Sequence, residues 1–290
     1  MPPLSVIATS CHPGPFFERA LTEICRQAGE AGAEVIVATA AASLPGAPSG
    51  VRVLSLPGHT VLQLRSAGVL AAQGEIIAIT EDHCLPLEGW CRGILQAHRD
   101  QPGLLAIGGA VLNGTPEPAL AEANYLAGFA ALMPPFTHPP RDRIPGVANM
   151  TLKRSALAPE IAQEGHLEYI LHPRIYAEGR GGFDDRFAVK HYQYHGLWST
   201  FRDHLHNGRC TSGLMHLEKN SPAWKEQIRH SRRLHRLLMQ GVRTTLLQKN
   251  YPPAKAARAL PWLAAVFACH CAGYWWGLHF GAGKSSRCLD

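Results

Sequence analysis

The chain has 290 residues, 46% of them hydrophobic, enough for one large core or a core with a helical appendage. Its formal charge of +6 is local: between Lys225 and Arg258 nine residues are Lys or Arg and one, Glu226, is acidic. The remainder is slightly acidic, which argues against a chain-wide nucleic-acid surface, and no nucleic acid is expected as a partner.

In chain order, Leu4–Thr9 reads as a strand and Phe16–Ala31 as a helix with apolar residues at Phe17, Ala20, Leu21, Ile24 and Ala28. Strands follow at Glu34–Thr39 and Val51–Leu56. A helix at Val61–Ala72 is stopped by Gly74, a strand covers Glu75–Ile79, a helix Leu87–Asp100, and a strand Leu104–Leu112 with a Gly108-Gly109 interruption. This alternation predicts βαβ units and a mostly parallel sheet flanked by helices. Neither a G-x-G-x-x-G loop after the first strand nor a G-x-x-x-x-G-K-[ST] loop is present, so the dinucleotide and P-loop readings lose their support.

The second half is less regular. Glu117–Met133 reads as helix, and Pro134–Pro145 as a Pro-rich, mobile loop over a site. Gly146–Lys153 is strand-like, Leu167–Gly179 has helical spacing, and Phe183–His191 is a strand. Leu197–Gly208 reads as a helix stopped by Gly208, and a basic helix spans Ala223–Lys249. Leu260–Phe280 contains no Asp, Glu, Lys or Arg. It is long enough to cross a bilayer, and it equally suits a helix lying in a membrane surface or a buried terminal helix. The basic stretch before it favours membrane contact, because Lys and Arg beside an apolar helix attract anionic lipid. The domain boundary is expected after residue 215, with residues 216–290 as a helical extension.

The amino terminus, MPPLSVIATS, lacks the basic start and long apolar core of a secretory signal, and the eight cysteines lack paired metal spacing. Both features predict reduced thiols and a cytoplasmic location, at the inner face of the cell membrane if the last helix makes contact.

The most informative stretch is Gly74–Pro86, GEIIAITEDHCLP, an apolar run ending in Glu81, Asp82 and His83. Open α/β sheets bind ligands at the carboxyl ends of their strands, and two carboxylates with an imidazole there suit a divalent cation carrying a phosphate. A polar strand-end turn explains the same three residues.

Together the segments SVIATS, EVIVATAA, LRSAGVLAAQGEIIAITEDHCLP, GVANMTLKRSAL, LEYILHPRIYAEG and AVKHYQYHG, in that order, resemble a family-2 glycosyltransferase of the GT-A fold over Leu4 to Arg209. The resemblance implies a nucleotide-diphospho-sugar donor, a glycan or lipid-linked acceptor, and Mn²⁺ or Mg²⁺. It places the metal on Glu81 and His83, with His191 (or nearby His195) completing the shell. It makes Glu168 the base that deprotonates the acceptor hydroxyl, and implies donor contacts from Thr9, Ser10, Thr39, Arg65 and Asp82. Asn149 and Trp90 are implied at the acceptor, although a strand-turn Asn and a core Trp explain them as well. Two departures stand out: His replaces an acid in the metal motif, and Ala38-Thr39-Ala40-Ala41 stands where the family has an acid pair. Imidazole is softer than carboxylate and suits Mn²⁺ better than Mg²⁺. The function implied is inverting transfer of a sugar in cell-surface glycan synthesis. The alternative is a non-catalytic GT-A-like binding or scaffold protein at the membrane.

Overall fold

The computed structural model describes residues 1–136, 146–192 and 196–289; most of the Pro134–Pro145 loop and His195 lie outside them. The elements run β1 (Leu4–Ser10), α1 (Pro15–Ala31), β2 (Glu34–Thr39), β3 (Val51–Ser55), α2 (Val61–Ala71), β4 (Ile76–Glu81), β5 (Cys84–Pro86) and α3 (Trp90–Asp100). They continue with β6 (Ala106–Asn113), α4 (Ala119–Phe129), β7 (Met150–Lys153), α5 (His172–Ala177), β8 (Gly181–His191), α6 (Leu197–Gly213), α7 (Pro222–Gln248) and α8 (Pro253–Phe280). They pack into two units. The first comprises Met1–Leu112 and Leu132–Tyr192, the second Asn113–Ala131 and Gln193–Leu289. Helices α4 and α6 belong to the second unit, where both pack along α8.

The first unit holds an eight-stranded sheet in the order β3-β2-β1-β4-β7-β6-β8-β5. Its β3-β2-β1-β4 half is parallel; β7 runs antiparallel to both β4 and β6, and β5 antiparallel to β8. Every residue of β1 is buried, as expected for a strand covered by helices on both faces. Helix α1 ends at Gly32, whose φ of 64° is the left-handed cap that glycine adopts without strain. Helix α2 starts in a capping box in which Thr60 and Gln63 satisfy each other's backbone N–H groups. The core gathers Ile7, Ile36, Val69, Ile77, Ile79, Met150, Leu152 and Leu171 around the sheet.

Gly108-Gly109 does not interrupt its strand. A Cβ on Gly109 would stand 2.1 Å from Asn149 Nδ2 and 2.4 Å from the Phe187 ring, so this glycine makes room for two buried side chains.

The second unit is helical. Gly208 does not stop α6, which runs on to Gly213. A Cβ on Gly208 would meet His270 O at 2.0 Å, and one on Gly273 would meet Leu205 O at 1.9 Å. These glycines let the backbones of α6 and α8 touch, and Ser212 Oγ donates across the contact to Tyr274 O at 2.6 Å. Helix α7 runs along α8 through Trp224 Nε1 donating to Leu278 O (2.8 Å), Tyr274 OH donating to Gln227 Oε1 (2.7 Å), and His235 Nε2 at 3.1 Å from Ala264 O.

Candidate active site

Two strand pairings build the site. β4 lies beside β1 with Glu81 opposite Thr9, which brings Glu81 to the carboxyl end of the parallel half-sheet. The chain then turns through Asp82 and His83 into β5, where Cys84 pairs with His191 of β8 and Tyr192 N donates to His83 O at 3.0 Å. Two histidines 108 positions apart are thereby fixed side by side, with Nε2 atoms 2.9 Å apart and each 3.5 Å from Glu81 Oε2. Ligands bound about 2.1 Å from one divalent ion stand about 3–3.5 Å from one another, so Glu81, His83 and His191 fit such an ion. Asp82 supports the cluster from outside: Oδ1 lies 2.8 Å from His83 Nδ1, and Oδ2 accepts from Ser10 Oγ at 2.6 Å. A carboxylate on the far ring nitrogen fixes a ligand histidine's tautomer and orientation.

Arg65 joins this cluster to Glu168. It is 5% exposed on α2, whose sides are buried almost all round. Its Nη2 donates to Glu81 Oε1 at 2.7 Å, and Nη1 lies 3.5 Å from Glu168 Oε1. Glu168 sits on a single π-helical turn, Leu167–Leu171, closed by His172 N donating to Leu167 O. Pro173 explains the widening: it has no N–H for Tyr169 O, and its ring pushes that carbonyl aside. Both Glu168 carboxylate oxygens are buried without a hydrogen-bond partner among the described residues.

The two acids therefore titrate in opposite directions. Burial would push the Glu81 carboxyl up, but the hydrogen bond with His191 and the charges of His83, Arg65 and His191 hold it far below the ordinary range. Burial pushes the Glu168 carboxyl up, and Arg65 offsets only part of that. For His83, burial works against the charged ring; the hydrogen bond with Asp82 and the charges of Glu81 and Asp82 outweigh it and raise the pKa.

The structure thus gathers Glu81, Asp82, His83, His191, Ser10, Arg65 and Glu168, sets Thr9 opposite Glu81 on the neighbouring strand, and buries Trp90, Asn149 and Thr39 in bonds of their own. Trp90 and Asn149 are wholly buried and bonded to each other: Trp90 Nε1 donates to Asn149 Oδ1 at 2.9 Å, and Asn149 Nδ2 donates to Ala110 O and Phe187 O. Both spend these polar groups on bonds inside the core. Thr39 is wholly buried and its Oγ1 accepts from Ala41 N at 3.1 Å. Thr9 is 2% exposed, its hydroxyl turned to Thr80 O. Arg65, expected at the nucleotide, instead spends its guanidinium on two protein carboxylates. The signal for this was its position as the one charge in the apolar helix VLQLRSAGVLAA.

No protein-family model and no curated protein sequence matches the chain. Among solved structures, the mannosyltransferase from Pyrobaculum calidifontis in complex with GDP-Man and Mn²⁺ is similar at a TM-score of 0.57 and 16% identity, over 95% of this chain and 87% of that one. The chain has the GT-A fold. Glucosyl-3-phosphoglycerate synthase from Mycobacterium tuberculosis, with phosphoglyceric acid, matches 67% of this chain and 73% of its own length at TM-score 0.44 and 14% identity. GalNAc-T7 with UDP, GalNAc and Mn²⁺ matches 71% of this chain and 50% of its own at TM-score 0.48 and 12% identity.

Proposed function

We propose that the protein is an inverting glycosyltransferase of the hexosyltransferase type. It takes its sugar from a nucleotide-diphospho-sugar and delivers it to a hydroxyl of a glycan or lipid-linked acceptor, in cell-surface glycan synthesis at the cytoplasmic face of a membrane. The observation that carries this reading is the convergence of Glu81, His83 and His191 at the carboxyl end of β4, with Glu168 tied to the same cluster through Arg65. The donor class is supported by the fold and by the GDP-Man and Mn²⁺ of the Pyrobaculum mannosyltransferase.

Glu81, His83 and His191 would hold the divalent cation, which when bound stabilises the diphosphate leaving group. The two imidazoles favour Mn²⁺ over Mg²⁺. Asp82, steadied by Ser10, holds the Nδ1 side of His83 and so turns its Nε2 toward Glu81 and His191, where the metal would bind. Arg65 compensates the negative charge of Glu81 and Glu168 in a site sheltered from water. Glu168 takes the proton from the acceptor hydroxyl as its oxygen attacks the anomeric carbon; the bond to the diphosphate oxygen breaks on the opposite side and the configuration inverts. Asp82 and His83 form the solvent-reached side of the cluster, with side chains 26% and 22% exposed, which favours donor entry there.

The test is donor hydrolysis and transfer by the purified chain across common nucleotide-sugars, with Mn²⁺, with Mg²⁺ and with a chelator. Turnover of one donor that needs Mn²⁺ supports the enzyme; turnover of none rejects it.

One observation favours the second reading, a non-catalytic binding protein. Arg65 fills the space between the triad and Glu168, and both Glu168 oxygens are shut from solvent. Calorimetry separates the readings: Mn²⁺-dependent binding of a nucleotide-diphosphate without turnover of any donor identifies the binding protein.

A further inference from the structure

The exposed apolar surface of the second unit is arranged for one kind of partner. Helix α8 has 28 residues, about 42 Å of helix. One side of it is taken: Leu263, Val266, Gly273, Tyr274, Gly277 and Leu278 are buried within the unit. The other side carries Trp262, Trp275, Trp276 and Phe280, which are 37–67% exposed, and no ionic side chain from Leu260 to Phe280. A stripe of that length and apolarity, with tryptophans on it, suits the boundary between headgroups and acyl chains.

The same packing rules out a crossing. Helix α7 is bonded to α8 at Leu278 and again at Ala264, so it runs antiparallel along most of the apolar segment. Over that length α7 exposes Arg229, Arg232, Arg233 and Arg236. Threading α8 through a bilayer would carry those arginines into hydrocarbon, where each unpaired charge is costly. Laying α8 flat keeps them out of the hydrocarbon. Arg232 stands one helical turn before His235, the residue that meets α8 at Ala264, so this arginine lies near the edge of the α7–α8 contact.

We infer that α8 lies in the plane of an anionic membrane surface, its Trp262–Phe280 face sunk to the acyl boundary and the α7 arginines on lipid phosphates, without spanning the bilayer. This rests on the membrane contact in the reading above and fixes its geometry; it is independent of the transfer chemistry. The occupant is argued from charge: the local excess of Lys and Arg beside the stripe selects anionic lipid over an uncharged protein groove.

The experiment is flotation of the full chain with vesicles of phosphatidylcholine alone and of phosphatidylcholine with phosphatidylglycerol. We expect binding to the anionic vesicles only, complete release by alkaline carbonate, and tryptophan quenching by a shallow lipid quencher that exceeds quenching by a deep one. Arg232→Gln with Arg236→Gln should lower the partition coefficient about thirtyfold, from about 1 kcal/mol per basic side chain. Trp275→Ser, at an exposed site, should lower it without moving the melting temperature. Retention after carbonate, stronger deep quenching, or an unchanged coefficient in the arginine variant overturns the inference. Donor turnover of the same preparation in solution keeps a failure here distinct from failure of the transferase reading.

Discussion

The two units are opposites in what they hide. The first buries charge: Arg65 and His191 are each 5% exposed, and Glu168 has both oxygens shut away. The second exposes apolar mass: among the described residues, nine of the eleven exposed large hydrophobic ones lie within it. Each arrangement is costly for a chain alone in water, because a buried charge loses hydration and an exposed aromatic face orders solvent. The two proposals above answer costs of opposite kind: a cation with a diphosphate ligand would offset the first, and a lipid surface the second. A protein evolved only for stability would carry neither.

The comparison is broken most severely by disturbing the contact that holds the apolar face outward. Gly273→Val puts a side chain where Leu205 O stands 1.9 Å from the Cβ position, and should cost about 3 kcal/mol of stability, read as a fall in the denaturant midpoint. An unchanged midpoint would mean that α6 and α8 do not need their close approach.

On the other side, Glu168→Gln should lower turnover about a hundredfold while leaving Mn²⁺ affinity in place. Full activity in that variant removes Glu168 from the role of base. Asp82→Asn, which loses the carboxylate behind His83 Nδ1, should weaken Mn²⁺ binding about tenfold by titration calorimetry. Equal affinity would show that His83 needs no partner to face the metal.

The smallest effect separates buried charge from ordinary surface acid. The Glu168 carboxyl ionises near 4.5 in the unfolded chain and at higher pH in the folded one, because burial favours its neutral form. Its stabilising contribution is whole below about 4.5 and is lost as pH rises through the raised folded value. Glu168→Gln abolishes that loss, so denaturant midpoints of the two proteins should diverge in favour of the variant as pH rises across this window. Parallel profiles would contradict the burial. Turnover of the unmodified protein should rise across the same window, since only the ionised carboxylate accepts a proton.

Local pattern made most of the first unit legible. The apolar runs of Leu4–Ser10, Glu34–Thr39 and Ile76–Glu81 are strands because a sheet covered on both faces demands continuous apolar residues. Glycine was read less well, because its two uses look alike in one dimension. Gly32 ends a helix through its φ, whereas Gly109 and Gly208 lie inside elements and matter for what approaches them. Asn149 and Trp90 stayed ambiguous in the sequence for a related reason: a polar group meant for a sugar and one meant for a core hydrogen bond are the same group, and only their burial and mutual bond show what they touch.

The order of apolar and polar residues determined the strands, the helices and the presence of an acidic-imidazole cluster at the end of β4, because these depend on neighbours within a few positions. Tertiary structure decided the rest. The β5–β8 register sets His191 against His83, a single guanidinium shares itself between Glu81 and Glu168, and α7 lies along α8 and turns its apolar face outward. Those relations join residues tens to hundreds of positions apart, and nothing in local propensity encodes which of sixteen histidines will meet.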